Sequence, residues 1–443
     1  MKRLIILTTC ACFIRGSILA DDFASRRELN WHQWRGPLAN GVAPHGDPPV
    51  RWDENTNVQW KVEIPGEGSS TPIVWGDQVF VSAAIKTDRT VDSLPPPAAE
   101  PPGGYKTPRP TDYYRFVVIS LDRKTGRVLW QRTANEEVPH EGRHKTNSYA
   151  SGSPTTDGRY VYASFGSRGI CCFDVEGNLR WTRDLGDMVT RFGWGEGTSP
   201  VLHGSRLAVN WDHEGDSFLA VLNAKTGETA WKVDRDEISS WSTPLVVEHG
   251  DVTQLIVSAT RRVTGYDLET GEIVWECGGQ TVNVIPSPVA ADGKVLCMSG
   301  FQGSALFAIP LQSTGDLTDT DRILWHHDRG TPYVPSPLLY GDLLYFTRSN
   351  SAILSCLDAK TGEPLTEGTR LPGLKSLYAS PVGAAGRVYF VGRDGTALVI
   401  KHQPELEILA TNQLGEPIDA SPAIVGKQIF LRGKGHLYCI ASP

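Results

Sequence analysis

Two stretches of this 443-residue chain concentrate side chains that could do chemistry. Trp211-Asp212-His213-Glu214-Gly215-Asp216 is the densest polar cluster. Its carboxylates Asp212, Glu214 and Asp216 offer the oxygen ligands that a hard cation such as Ca²⁺ takes. Their spacing is not that of an EF-hand, and an acidic hairpin loop that is simply solvated would read the same way. Arg191-Phe192-Gly193-Trp194-Gly195-Glu196-Gly197 is the second stretch. Its glycines let backbone approach a ligand closely. Arg191 and Glu196 could orient that ligand and Trp194 could stack on it, although packing at a rim explains the same residues. Residues 133–149 add His140, Arg143, His144 and Lys145, with the histidines as potential ligands or bases and solvation on a loop as the plainer reading. There is no GxSxG elbow, HExxH pair, Walker loop or dinucleotide fingerprint.

The elements that must hold these residues announce themselves by repetition. Leu121-Asp122-Arg123-Lys124-Thr125-Gly126-Arg127-Val128-Leu129-Trp130 reads as a strand, a tight turn and a second strand ending in an indole. Asp122 can accept hydrogen bonds from nearby backbone N–H groups, and Gly126 can take a positive φ. The phrase returns as Asp174 to Trp181, Asn223 to Trp231 and Asp267 to Trp275, and without its Trp as Asp358 to Glu363. Self-similarity at this period indicates a repeat architecture.

A second mark counts the repeats. Ser/Thr-Pro followed by apolar residues occurs at Thr71, Ser153, Ser199, Thr243, Ser287, Ser336, Ser380 and Ser421. Proline cannot donate to a ladder and belongs at a strand start. The marks recur about every 40–50 residues, the length of one four-stranded blade; only the first interval is longer. The expected fold is all-β, an eight-bladed β-propeller of four-stranded blades. Trp52 to Trp60 looks like an outer strand without its partners, and His436 to Ile440 like the missing inner one. Pairing of these N- and C-terminal strands would close the ring and remove both open edges. Residues 52–443 then form the propeller and 21–51 a lead-in. A Pro-rich loop is expected over 86–115, and an interruption of the fifth repeat over 311–321. The stretch Arg191–Gly197 precedes a Ser-Pro mark and should face the central channel. Arg168, Asn210, Trp241, Asn283 and Tyr333 hold comparable positions in other blades.

Composition bounds the rest. The net charge is −7 with no basic stripe, so nucleic acid is not an expected partner. Met1 to Ala20 has a basic start at Lys2 and Arg3, an apolar stretch from Leu4 to Ile14, and Ala20 at the cut. It reads as a signal peptide, with Arg15 and Ile18 untypical. A lipidated Cys10 or Cys12 is an alternative that the preceding residues fit poorly. No other apolar run is long enough to span a bilayer. The expected product is an exported monomer, periplasmic or held at the cell envelope. The remaining cysteines form neither a disulfide framework nor a CxxC or CxxCH pattern, and read as small buried apolar residues.

The docking phrase and the Ser/Thr-Pro mark together resemble the quinoprotein-type (PQQ-like) β-propeller repeat over residues 52–441, nearly all of the chain that follows the signal. The opening Trp31-His32-Gln33-Trp34-Arg35-Gly36-Pro37 is similar to the start of secreted PQQ-like repeat proteins of planctomycete-type bacteria. The resemblance implies two kinds of role. One is that of BamB, the non-catalytic lipoprotein of the outer-membrane assembly machinery: a scaffold that engages a protein partner or small ligand through its channel and top loops. The other is that of quinoprotein alcohol dehydrogenases, which hold PQQ and Ca²⁺ at the propeller centre. The dehydrogenases also carry an adjacent-Cys disulfide over the quinone, and Cys171-Cys172 is the matching dipeptide here. It lies in an expected strand, which points its two side chains to opposite faces. A third reading is a carbohydrate-binding or carbohydrate-acting propeller, with Trp194, Trp211 and Trp241 as stacking platforms. The chain is short for the loops that wall in a quinone, so a binding module is the first expectation.

Overall fold

The computed structural model describes residues 23–94 and 107–442. The expected signal peptide and the Pro95 to Pro102 run lie outside the described residues. Eight antiparallel sheets of the expected order are present, seven with four strands and one with five. Their innermost strands neighbour one another around a ring; Ile73–Trp75 lies against both Thr155–Thr156 and Ala423–Val425. The propeller closes as the sequence predicts. Val58–Glu63 pairs antiparallel with His436–Ala441, Trp60 opposite Cys439 and Glu63 opposite His436.

The docking phrase joins blades at the outer rim. Trp130 donates its indole N–H to Val175 O, Trp181 to Ala224 O and Trp231 to Leu268 O, each at 2.9 Å and each in the next blade's turn. The turn is held by Asp122 Oδ1, which accepts the Thr125 N–H at 2.8 Å and its hydroxyl at 2.7 Å. Its glycine is required twice over. Gly227 has φ +73°, and a Cβ there would lie 2.6 Å from Trp181 Cδ2. The Trp-less copy docks Trp325 of the preceding blade, whose indole donates to Lys360 O at 3.1 Å.

The Ser/Thr-Pro mark joins blades at the inner rim. Ser153 N–H donates to Ser199 Oγ at 2.9 Å, Ser199 N–H to Thr243 Oγ1 at 3.1 Å, and Ser336 N–H to Ser380 Oγ at 2.9 Å. Thr71, Ser287 and Ser380 do the same toward Ser153, Ser336 and Ser421. The mark is therefore a strand start and a blade-to-blade clasp at once.

The lead-in is part of the propeller. Trp31 exchanges backbone hydrogen bonds with Val74, and Gly41 and Ala43 with Gly383. Arg35 is almost wholly buried and donates to Pro337 O at 2.6 Å and Pro381 O at 2.8 Å. Burial lowers its pKa to about 9, so it stays charged at neutral pH. The segment crosses one end of the channel from blade 1 to blades 6, 7 and 8.

Two irregular regions differ from expectation. The loop foreseen over 86–115 is narrower, because Gln78–Thr90 and Asp112–Asp122 run on as one long hairpin. On its return leg Thr107 N–H donates to Phe192 O at 3.2 Å. Within 311–321, Gly315–Asp316 pairs parallel with Trp275 and Glu276 and gives the fourth blade its fifth strand.

Candidate functional site

The channel encloses a cavity of about 350 Å³. Its floor is Trp34 of the lead-in, whose indole N–H donates to Ser287 Oγ at 2.9 Å. Its wall is a ring of Ser/Thr hydroxyls from seven of the eight marks, all but Thr71. Toward the mouth an aromatic arc spans several blades. Trp194 lies 6.5 Å from Trp241 and 6.2 Å from Phe301, and Phe301 stacks on Tyr333 at 4.7 Å between ring centroids. The arc is fixed from behind: Trp241 donates its indole N–H to Gly195 O at 2.7 Å.

A loop from the first blade junction reaches across this mouth. His144 packs edge-on against Trp194, and Thr146 Oγ1 lies 3.2 Å from Tyr378 Oη on the far side of the ring. Among the described residues Asp419 is the only carboxylate in the lining, and Arg393 pairs with it at 2.6 and 3.1 Å. Burial, with Lys145 and Arg393 nearby, lowers the His144 pKa and keeps the ring neutral. Burial raises the Tyr333 phenol to about 12. Among the described residues the lining contains no Lys or Arg. At neutral pH this is an aromatic and hydroxyl-lined cavity whose one carboxylate is paired.

A second, much smaller cavity of about 40 Å³ lies beside it, and Ser151 and Gly197 line both. It is lined by His140, Glu141, Glu196, Arg168 and Asn210. Glu141 accepts the Thr190 N–H at 3.1 Å and the Thr190 hydroxyl at 2.6 Å. Glu196 accepts the Ser167 N–H at 2.8 Å and the Ser167 hydroxyl. Gly166 makes room for that carboxylate; a Cβ there would lie 1.2 Å from Glu196 Oε2. His140 Nε2 sits 2.6 Å from Met188 O and 3.6 Å from Glu196 Oε1. Burial first, and the Glu196 charge second, push Glu141 up to about 8. Burial also raises Glu196.

The residues singled out in the sequence thus separate into groups. Trp194, Trp241 and Tyr333 line the channel; Arg168, Glu196 and Asn210 line the small cavity. Arg168 is tied to Glu137 at 2.6 Å and Asp187 at 2.5 Å. Arg191 and Asn283 line neither cavity. Arg191 lies over the Phe192 ring at 5.3 Å, and Asn283 is buried with φ 58°. Asp212, Glu214 and Asp216 do not form a common ligand set. Asp212 turns inward to Arg235 at 2.7 Å and accepts from Ser240 and Asn210 at 2.8 and 3.0 Å, while Asp216 is exposed. Trp211 stacks on Phe218 in the core and faces no channel.

Cys171 and Cys172 are buried free thiols on opposite faces of Ile170–Asp174, one packed toward the first blade and the other toward the third. Sequence reasoning missed Trp34, Phe301, Tyr378 and Glu141. Trp34 carried a signal in its polar, Trp-rich lead-in. Glu141 carried one only as the neighbour of His140.

A family model described as "Outer membrane protein assembly factor BamB" matches residues 115–367. The BamB structure from Moraxella catarrhalis is similar over 86% of this chain and 98% of its own, with 13% identity and a TM-score of 0.57. Quinohemoprotein alcohol dehydrogenase from Comamonas testosteroni is similar over 95% of this chain and 82% of its own, with 10% identity and a TM-score of 0.61. At these identities the likeness is one of fold. In sequence, subunit 1 of methanol dehydrogenase [cytochrome c] from Methylorubrum extorquens is 36% identical over 67 residues. That match spans 14% of this chain and 11% of the dehydrogenase.

Proposed function

The chain belongs to the BamB-type family of PQQ-like β-propellers, and from that premise we propose that it is a binding module of the cell envelope rather than a dehydrogenase. Its channel takes an uncharged ligand, and a neutral saccharide is the class its lining suits. The observation that carries this reading is the lining itself: aromatic faces and Ser/Thr hydroxyls, with no Lys or Arg and one carboxylate that Arg393 already pairs. Aromatic faces pack on the apolar faces of sugar rings, and hydroxyls satisfy their edges.

The channel residues do not fit PQQ with Ca²⁺. PQQ carries three carboxylates, and burying them needs cations or a full set of donors. Ca²⁺ takes six to eight oxygen ligands, and the channel supplies a single, paired carboxylate. The split Cys171-Cys172 pair offers no disulfide platform. Among the described residues no helix is long and apolar enough to cross a membrane, so an envelope location rests on export and the BamB-like family.

Calorimetric titration of the purified chain with neutral oligosaccharides tests the reading, with PQQ and Ca²⁺ titrated in parallel. Saturable saccharide binding that Trp194→Ala weakens by roughly tenfold is the expected result. One-to-one PQQ binding in its place would overturn the proposal and return the dehydrogenase reading.

A further inference from the structure

We infer that the small cavity beside the channel is a binding site for one divalent transition-metal ion, Zn²⁺ or Mn²⁺, held by His140, Glu141 and Glu196 with Asn210 completing the donor set. Among the described residues these three form the one set of His, Cys, Asp or Glu whose ligand atoms all lie within 4.8 Å of one another. They come from two loops that the chain separates by about fifty positions, so local sequence did not force them together.

A second observation points at the same space. Asn210 is only 2% exposed and lines the cavity. Its Nδ2 donates to Asp212 at 3.0 Å, and its Oδ1 has no hydrogen-bond partner. An orphaned buried amide oxygen is costly and calls for a donor or an ion. The cavity of about 40 Å³ has room for an ion and a water.

Charge argues the same way. Glu141 and Glu196 both line this pocket, while Arg168, which lines it too, forms its ion pairs with Glu137 and Asp187 outside the lining. Two carboxylates in one buried site repel each other unless a proton or a cation intervenes. The imidazole selects the metal class: one nitrogen with two carboxylates suits Zn²⁺ or Mn²⁺, whereas an all-oxygen set would suit Ca²⁺. Asp187 Oδ1, which Arg168 holds at 2.5 Å, lies 3.9 Å from His140 Nδ1, beyond hydrogen-bond reach. Binding through Nε2 gives up its N–H bond to Met188 O and requires the tautomer that carries the ring proton on Nδ1.

The site would clamp the loop carrying His140 and Glu141 to the one carrying Glu196. The first also supplies His144 and Thr146 to the channel mouth, and the second supplies Trp194.

The test uses the chelator-stripped chain titrated with Zn²⁺ or Mn²⁺ alone by calorimetry, with thermal unfolding followed in parallel. The expected result is one ion per chain and a higher midpoint with metal. Glu141→Gln and Glu196→Gln should each weaken binding by at least about tenfold; His140→Gln should do the same, while His203→Gln, at a half-buried ring in neither cavity, leaves binding unchanged. The glutamines keep the hydrogen bonds to Thr190 and Ser167 within reach, and near-ultraviolet circular dichroism of each variant checks its fold. Co²⁺ spectra of the wild-type chain should show a mixed nitrogen and oxygen site that His140→Gln alters. Absence of saturable binding, or binding that none of the three substitutions changes, overturns the inference.

Discussion

The channel and the small cavity share walls and even residues, yet they are built on opposite principles. The channel is made by the repeat: seven of the eight Ser/Thr-Pro marks contribute a hydroxyl, and Trp194, Trp241 and Tyr333 of the aromatic arc sit just before a mark. The small cavity is made by what departs from the repeat, the 138–149 loop and the segment around Glu196. The repeat yields a neutral lining because hydroxyls carry no charge, and six of those in the marks accept a blade-to-blade N–H. The departures gather His140, Glu141, Glu196 and Arg168 around a volume about a ninth as large. A neutral cavity recognises by shape and stacking. A charged one must find a counter-ion or pay the cost of burial.

The largest expected effect lies on the charged side, at a pair that is structural. Arg235 and Asp212 are both buried, with Nε to Oδ1 at 2.7 Å. Arg235→Ala leaves a buried carboxylate without its cation and should cost about 3–5 kcal/mol, read from the urea midpoint at neutral pH. Asp212 also positions Asn210, so the same variant should weaken Zn²⁺ binding while leaving saccharide affinity near wild type. An unchanged midpoint would mean that charge beside this cavity carries no structural weight.

Glu237 gives a second reading of buried charge on that side. It accepts backbone N–H bonds from Arg261 and Arg262 at 2.8 and 3.0 Å. Burial nevertheless raises its pKa to about 7, against the opposing pull of Arg235 and those N–H bonds. The folded state therefore holds this proton more tightly than the unfolded chain does. Its contribution to stability is complete below the unfolded carboxylate range and is lost as pH rises toward 7, by about 2–3 kcal/mol. Glu237→Gln should flatten the wild-type decline in stability between about pH 4.5 and 7. Parallel pH profiles for the two proteins would show that Glu237 titrates normally.

How much was readable from the chain follows the same division. Blade number, docking Trp, inner Ser/Thr-Pro strand and ring closure were legible because each is a local signal repeated in phase: Asp122 and Gly126 specify a turn whatever surrounds them. The channel aromatics Trp194, Trp241 and Tyr333 followed from their place before a mark. The Asp212 cluster misled because adjacency along a strand end says nothing of direction: Asp212 turns inward to Arg235, and Asp216 faces solvent. The His140, Glu141 and Glu196 grouping was invisible because it depends on where an irregular loop folds back, which no periodicity encodes. Trp34 was overlooked as a ligand contact because the lead-in lacks the repeat, yet it floors the channel.

On the neutral side the expected effects are smaller. Trp194→Ala or Trp241→Ala removes one stacking face, worth about 0.5–1.5 kcal/mol beyond the area lost, so saccharide affinity should fall by roughly tenfold. Zn²⁺ affinity should fall less in Trp241→Ala, because that side chain reaches the small cavity only through its bond to Gly195 O. A matched loss of both ligands would collapse the distinction between the two cavities.

The smallest effect separates the wall of the channel from its floor. Ser336 Oγ accepts the Ser287 N–H at 2.9 Å, while Ser287 Oγ accepts the Trp34 indole N–H at 2.9 Å. Ser336→Ala leaves a buried N–H without its acceptor and should cost about 1 kcal/mol of stability. Its effect on ligand affinity should be slight, since Ser380 and its neighbours still clasp the blades. Ser287→Ala keeps the inter-blade bond, because its own N–H still reaches Ser336, but it frees the Trp34 ring. A similarly small stability loss should now come with weaker saccharide binding. Denaturant midpoints and calorimetry on the two variants read these quantities side by side. Equal losses of affinity would mean that the hydroxyl ring itself holds the ligand. A loss confined to Ser287→Ala assigns that role to the indole floor that the lead-in places there.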